Sequence, residues 1–407
     1  MADFRKSARL QPIQPSATIA ITQLGRDLKA QGRDIVSLSI GEPDFDTPDH
    51  VKEAAAAAMA RGETKYPPVP GLPELRAAVA DKFLRENDLT YQPEQVIVSA
   101  GGKQVIALAL LATLDPGDEV IVPAPYWVSY PQLTTLAGAT PVEVTTTAAT
   151  GLKITPAQLE AAVTPRTRWF ILNSPSNPTG AVYSRAELMA LAEVLRLHPQ
   201  IWILSDDIYE HLIYGNAAFA TIAAVAPDLA ERTLTMNGVS KAYAMTGWRI
   251  GYAAGPLPLI KAMSLLQSQI TGGAARVCQW AALAALTGPQ DGLASRRAAF
   301  DARRRLVVEG LNAIPGLECP MPEGAFYAYP SCAAFIGRTT AGGRRIAHDE
   351  DFCMALLQET GVATVQGAAF GQGPAFRVSY AASEAQLRTA LNRISTFCRT
   401  MSPAIGV

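Results

Sequence analysis

The residues best placed to do chemistry lie in Gly238-Val239-Ser240-Lys241-Ala242-Tyr243-Ala244-Met245-Thr246-Gly247-Trp248-Arg249-Ile250-Gly251. A lysine sits in a loop rich in glycine and serine, and an arginine follows eight residues later, just before the strand-like run Ile250 to Ala254. A lysine amine condenses with an aldehyde, and a planar guanidinium grips a phosphate through two parallel hydrogen bonds. The bland alternative is a solvated surface lysine, so the case depends on whether the chain supplies further partners for one ligand.

The ligand that needs both groups is pyridoxal 5′-phosphate, and other segments offer what it requires. Ser99-Ala100-Gly101-Gly102-Lys103 lies between an apolar β run and an apolar helix. There glycine permits close backbone approach and the helix start favours an anion. The alternative is a plain tight turn. It is not a nucleotide loop of the Walker type, because Ile97 stands where the first glycine belongs and Gln104 follows the lysine. A pyridine nitrogen used as an electron sink needs a carboxylate, and Ile201-Trp202-Ile203-Leu204-Ser205-Asp206-Asp207-Ile208-Tyr209 sets an acid after an apolar strand. Asp206 suits that role and Tyr209 suits the ring's phenolic oxygen. The alternative is two aspartates capping a helix.

Asn173-Ser174-Pro175-Ser176-Asn177-Pro178-Thr179-Gly180 follows another apolar strand. It reads either as loop punctuation or as a second donor, Asn177, for the phenolic oxygen. Tyr126-Trp127 offers an aromatic ring to stack on the pyridine. Phe376-Arg377-Val378-Ser379-Tyr380 places an arginine inside a β pattern, where it wants a carboxylate partner.

These groups need a scaffold that brings distant segments together. At 407 residues two domains are expected, and 49% hydrophobic with 17% charged residues describes a protein with a large interior. From about residue 48, helix and strand patterns alternate as in a parallel α/β sheet covered on both faces. Thr47-Pro48 is expected to cap an alanine-rich helix that Gly62 closes, and Ser184-x-x-Glu187 and Ser383-x-x-Gln386 read as capping boxes. Strands are expected at 95–99, 119–122, 168–173, 201–205, 233–236 and 249–253. After about residue 290 the texture becomes that of a smaller α+β domain, with helices at 296–311 and 351–359. Its β runs are at 324–329, 362–365 and 376–380, and 337–345 reads as an exposed loop. In such sheets ligands sit beyond the carboxyl ends of the strands, which is where the candidate residues fall.

A net charge of −1 gives no basic field for nucleic acid or anionic membrane. Five scattered cysteines and four scattered histidines suggest reduced thiols and no metal site. Met1 to Lys6 lacks an apolar signal core, and the longest apolar run, Val105 to Leu114, is short of the about 20 residues a bilayer requires. The cytoplasm is the expected compartment.

In this order and spacing the motifs resemble the class I/II aminotransferases, the fold-type-I pyridoxal phosphate enzymes, and within them the bacterial aspartate aminotransferases. The resemblance runs from Gln14-Pro15-Ser16-Ala17-Thr18 to the last helix, through Gly41-Glu42-Pro43-Asp44-Phe45, Lys65-Tyr66 and Pro125-Tyr126-Trp127-Val128-Ser129-Tyr130-Pro131. It implies a large domain over 48–292, with a mostly parallel sheet of seven-stranded type flanked by helices. A small domain would be assembled from 1–47 and 293–407.

It implies that Lys241 bonds the cofactor and shuttles a proton between the substrate's Cα and the cofactor. Asp206 would pair with the pyridine nitrogen, and Tyr209 and Asn177 with the phenolic oxygen. Arg249, Gly101, Gly102 and Lys103 would lie at the phosphate end, with Tyr66 reaching the phosphate of a neighbouring subunit in a homodimer with shared sites. Trp127 would stack on the ring, and Gly41, Asn177 and Arg377 would receive the α-carboxylate. Lys103 would face the side-chain carboxylate of a dicarboxylic substrate.

The implied reaction is ping-pong transfer of the amino group of L-aspartate to 2-oxoglutarate. An aromatic, prephenate or alanine-type aminotransferase is the nearest alternative, and a lyase or carbon–carbon bond-forming enzyme on the same fold is more distant. A ligand-sensing regulator would need a DNA-binding module that the residues before the large domain are too few and too neutral to form. The chain departs from the family at Gln269 to Arg276, where relatives usually carry a segment rich in serine, threonine and asparagine, and at Gln14, where some carry lysine. Arg276 reads either as a structural ion pair or as a change in the substrate pocket.

Overall fold

The computed structural model describes residues 5–402. Residues 1–4 and 403–407, which belong to the N-terminal reading and to the end of the small-domain span, lie outside the described residues. Twelve strands are formed among the described residues. Seven of them make the central sheet: β2 (Val96–Ser99), β3 (Glu119–Ala124), β4 (Thr140–Thr145), β5 (Thr167–Asn173), β6 (Trp202–Asp206), β7 (Thr233–Gly238) and β8 (Gly251–Ala254), in the order β2-β8-β7-β6-β5-β3-β4. The pairs β3·β4, β3·β5, β5·β6 and β6·β7 are parallel, as expected.

Side chains alternate across this sheet. Val120, Val122, Trp169 and Ile171 pack with the helices Gly102–Thr113 and Leu257–Ile270 on one face. Ile121, Phe170, Leu172 and Ile203 pack with helix Arg185–Leu197 on the other. Burial on both faces explains why these strands are apolar without a break.

One strand is the exception that the expected mostly parallel sheet allows, and another departs from the sequence reading. The strand β8 is antiparallel to both β7 and β2. Between β7 and β8 the only helical element is the short turn Thr246–Trp248, whereas a parallel return needs a full crossover, usually a helix. The strand β4 carries no sequence signal, since it is a half-exposed sheet edge containing Pro141.

The helix Asp49–Ala60 forms, and Gly62 leaves it at φ +78. Thr47 does not cap it. Its hydroxyl donates to the Ala244 carbonyl at 2.7 Å and accepts from Trp248 Nε1 at 3.0 Å, so it fastens the Lys241 loop instead. Both capping boxes are present, at Ser184 with Glu187 and at Ser383 with Gln386.

A smaller group of elements is built around helix Asp291–Asn312. The strands β9 (Tyr327–Ala328), β11 (Val365–Gln366) and β12 (Phe376–Ser379) form an antiparallel sheet in the order β11-β12-β9. The strand β1 (Val36–Ser37) pairs in parallel with β10 (Val362–Ala363), which ties residues near the start of the chain to this group. The helices Asp349–Thr360 and Glu384–Arg399 cover it. The β run expected over 324–329 contracts to β9, because Ala325 adopts φ +58 and leaves the extended region. The segment 337–345 is a stapled turn more than an exposed loop. Thr340 is buried and donates to Glu359 Oε1 at 2.6 Å. Among the described residues no helix is long and apolar enough to cross a membrane.

Beneath the Lys241 loop runs a buried polar network. Lys82, fully buried on helix Pro73–Asn87, donates to Glu210 and to Asn87 Oδ1 at 2.7 Å. Glu210 also accepts from Asn87 at 2.6 Å and from Asn237 at 2.7 Å, and Asn237 in turn holds the Gly238 amide. Removing one partner of a buried pair strands the other charge. We therefore expect Lys82→Ala to lower unfolding stability by about 3–5 kcal/mol in denaturant titrations. A loss below about 1 kcal/mol would show that the Lys82–Glu210 pair is solvated in the folded protein.

Candidate active site

The sheet delivers the candidate residues to one edge. The strands β2, β5, β6 and β7 run the same way, so Asn173 and Asp206 end their strands, and Gly101 and the Lys241 loop follow theirs, at the same edge. Because β8 runs the opposite way, Arg249, two residues before it, reaches that same edge. A cavity of about 440 Å³ opens there. Gly41, Gly102, Lys103, Trp127, Asn177, Asp206, Tyr209, Lys241, Arg249 and Arg377 all line it.

At one end glycine is compulsory. Gly101 adopts φ +89, and a Cβ there would lie 2.4 Å from Arg249 Nη2. A Cβ at Gly251 would lie 2.3 Å from the Gly102 nitrogen. Gly102 begins the helix Gly102–Thr113, so its first amides and the Arg249 guanidinium converge on one spot. Arg249 itself sits at φ +57 and is anchored by donating to the Thr246 carbonyl at 2.9 Å. Lys103 adds a second cation, its Nζ 5.2 Å from the Trp127 ring centroid. Burial first, and the Arg249 charge second, lower its pKa. This end is built for an anion.

At the other end stands a carboxylate. Asp206 is buried, accepts from the Tyr130 hydroxyl at 2.6 Å and from the Ile208 amide at 3.3 Å, and is raised by burial to about 6. Residues after β6 form a turn and not a helix, so the capping alternative for the two aspartates falls. The neighbouring carboxyls part ways. Asp207 turns from the cavity to accept from the Ser205 hydroxyl at 2.7 Å, and burial raises it to about 7. The Tyr209 hydroxyl pairs with that of Tyr327 at 2.8 Å. Trp127 meets Tyr130 edge to face with centroids 5.4 Å apart.

Between the two ends, the Lys241 amine donates to the Gly41 carbonyl at 2.6 Å. Burial first, and the Arg377 guanidinium second, bring it down to about 8. Gly41 admits no side chain, since a Cβ would lie 2.3 Å from the Tyr327 hydroxyl.

Arg377, on β12, is only 2% exposed. It donates to Asn177 Oδ1 at 2.9 Å and to the Ser39 carbonyl at 2.6 Å. Its guanidinium carbon lies 4.6 Å from the Tyr327 ring centroid and 5.0 Å from that of Phe370. Its Nε has no partner, and among the described residues no carboxylate pairs with it. A buried guanidinium held only by neutral groups is prepared for an incoming carboxylate.

The geometry is matched by kinship. A profile described as "Aminotransferase class I and II" covers residues 33–394. The chain belongs to the class I and II aminotransferases. It is 59% identical over 396 residues to an aspartate/prephenate aminotransferase of Cereibacter sphaeroides, covering 97% of this chain and 99% of that one. It is 52% identical over 401 residues to an aspartate aminotransferase of Rhizobium meliloti, covering 98% of each. A crystal structure of the aspartate aminotransferase from Rhizobium meliloti superposes with a TM-score of 0.95 at 51% identity, over 98% of this chain and 100% of that one. The Thermus thermophilus aspartate aminotransferase with maleate does so at 0.90 and 46% identity, over 97% and 100%. The protein is thus a transaminase.

In this aminotransferase some wall residues escaped the sequence reading. Tyr130 and Tyr327 hold Asp206 and Tyr209, and Asn173 fixes the following loop by accepting from the Asn177 amide at 2.9 Å. Tyr130 and Asp206 are 76 positions apart, and nothing local links them. Asn173 alone had a signal, as a polar residue closing an apolar strand. Tyr66 does not line this chain's cavity. It projects from the surface, 95% exposed.

The depressed lysine gives a direct expectation. An amine that titrates near 8 is charged below that pH and nucleophilic above it. In ligand-free protein, acylation of Lys241 followed by peptide mass mapping should quicken about tenfold per pH unit up to about 8 and then level. A rate still climbing at the ordinary lysine value would show the amine to be solvated.

Proposed function

We propose that this aminotransferase works with pyridoxal 5′-phosphate and passes the amino group of L-aspartate to 2-oxoglutarate, giving oxaloacetate and L-glutamate in two alternating half-reactions. The observation that carries the substrate reading is a pair of cations. Arg377 and Lys103 line one cavity, and neither has a carboxylate of this chain within ion-pair distance among the described residues. Two such groups suit an amino acid with two carboxylates.

The cavity fits the cofactor at each end. The Gly101–Gly102 cradle with Arg249 suits its phosphate, where any side chain at Gly101 would obstruct. Asp206, already charged near neutrality and steadied by Tyr130, suits its pyridine nitrogen. Trp127 suits its ring face, and Tyr209 with Asn177 its phenolic oxygen. Bound there, the cofactor supplies an electron sink for the pair left at Cα when the α-proton departs.

The chain does the rest. Arg377, with Asn177 and Gly41, receives the α-carboxylate and fixes which Cα bond faces Lys241. Lys103 takes the side-chain carboxylate. Lys241, neutral above about 8 and close to neutral pH in its ionisation, accepts the Cα proton and returns it. The same reading divides the protein into residues 48–292 and residues 1–47 with 293–407, so that Arg377 and Lys241 lie on opposite sides of a cleft whose closure excludes water. The pairing of β1 with β10 supports that division. The enzyme acts in the cytoplasm as a homodimer, with Tyr66 of each chain serving the phosphate end of the other site.

A second reading is favoured by the Cereibacter sphaeroides relative, an aspartate/prephenate aminotransferase. Prephenate, as a dicarboxylic keto acid, presents the same two charges.

Replacing Lys103 separates these ideas from a monocarboxylate specificity. In Lys103→Ala, kcat/KM for aspartate and glutamate should fall by roughly 30- to 1,000-fold, the 2–4 kcal/mol of a desolvated charge contact. For alanine or phenylalanine it should change by less than about fivefold. Equal losses with all substrates would assign Lys103 to the phosphate end or to the fold.

A further inference from the structure

Arg276 is the one unexpected charge in the sequence, and the cavity leaves it unexplained. It does not line the cavity of its own chain. It begins helix Arg276–Thr287, and its Nε lies 2.5 Å from Glu63 Oε2. Its Nη1 reaches the Tyr66 carbonyl at 3.5 Å. Both contacts land on the loop that follows helix Asp49–Ala60.

That loop is seated on the same helices at several other points. The Arg61 guanidinium lies over the Trp280 ring at 5.4 Å. The Leu72 amide donates to Gln279 Oε1 at 2.7 Å, and Gln267 donates to the Val69 carbonyl at 2.6 Å. A Cβ at Gly273 would press on Pro67 Cγ at 3.3 Å, so the glycine-containing stretch before Arg276 lies flat against the loop. Between Glu63 and Val69 the backbone is thereby fastened, while the Tyr66 side chain stands out at 95% exposure.

We propose that Arg276 is a positioning residue. Through Glu63 and the Tyr66 carbonyl it sets the direction in which the Tyr66 phenol leaves the surface, and so delivers that hydroxyl to the phosphate end of the neighbouring copy's site. This rests on the shared-site dimer proposed above. The charge of Arg276 is matched inside its own chain, so it does not add an unpaired cation to a substrate pocket. A partly exposed ion pair contributes little to folding. Its effect falls on the loop, because a donor already held in its bound direction loses less freedom on contact.

The test measures the dissociation constant of pyridoxal 5′-phosphate from the full-length protein, with the dimer mass by sedimentation and the aspartate KM of the reloaded enzyme. Tyr66→Phe and Arg276→Ala should each weaken cofactor binding roughly tenfold or more, as loss of a hydrogen bond to a charged group does. The mass should not move in either, and in Arg276→Ala the KM should not move. Glu63→Gln should behave as Arg276→Ala, which guards against a folding defect peculiar to one variant. Tyr66→Phe/Arg276→Ala should be no worse than Tyr66→Phe alone. Additive losses, unchanged cofactor affinity in Arg276→Ala, or an altered KM with normal cofactor affinity would each overturn the proposal. If Tyr66→Phe itself keeps full cofactor affinity, the shared-site reading fails, and the role of Arg276 fails with it.

Discussion

The structure depends on holding Arg377 out of water without giving it a carboxylate. Burying an unpaired charge is costly, and proteins ordinarily neutralise it or pair it. Here the guanidinium is satisfied only by an amide oxygen, a backbone carbonyl and two aromatic faces. Burial, together with the Arg377 field, keeps the Lys241 amine poised near 8. On the proposed reading, a substrate carboxylate that neutralised Arg377 would remove part of that field. Binding and the basicity of Lys241 would then be coupled, the amine becoming a stronger base once the carboxylate had arrived.

The fold supplies this arrangement through its connections. Parallel strands bring Gly101, Asn173, Asp206 and Lys241 to one edge, and the reversed β8 sends Arg249 back to it. Arg377 comes from a separate sheet, and Asn177 spans the gap by accepting its Nη1. Asp206 and Asp207 show how finely the edge sorts neighbours. One carboxyl faces the cavity while the next is turned into a pocket of hydroxyls.

Much of this was legible in the sequence, because its signals are local. An apolar strand followed by glycine, acid or lysine marks a carboxyl end, and an arginine within a β pattern demands a partner. What stayed hidden depends on contacts between distant segments. The hydroxyl of Tyr130, on helix Ser129–Leu136, finds Asp206 at the end of β6 only once the sheet is assembled, and Tyr327 on β9 finds Tyr209 in the turn after β6. The hydroxyl of Thr47 has the chemistry of a helix cap but is drawn away by Ala244 and Trp248. The edge position of β4, with Pro141 within it, erased the alternation that would have revealed it. Arg276 was visible as an anomaly, but its contacts with Glu63 and the Tyr66 carbonyl, 210 positions away in the latter case, were not.

The central claim is that this cavity carries pyridoxal 5′-phosphate on Lys241 and presents it to aspartate. The most direct measurement is the absorbance spectrum of the purified, cofactor-loaded protein before and after excess L-aspartate, with no keto acid present. The account predicts a yellow protein whose colour is lost with aspartate and returns with 2-oxoglutarate. A protein that takes up no pyridoxal 5′-phosphate would contradict the cofactor assignment, and a yellow band that aspartate leaves unchanged would contradict the substrate.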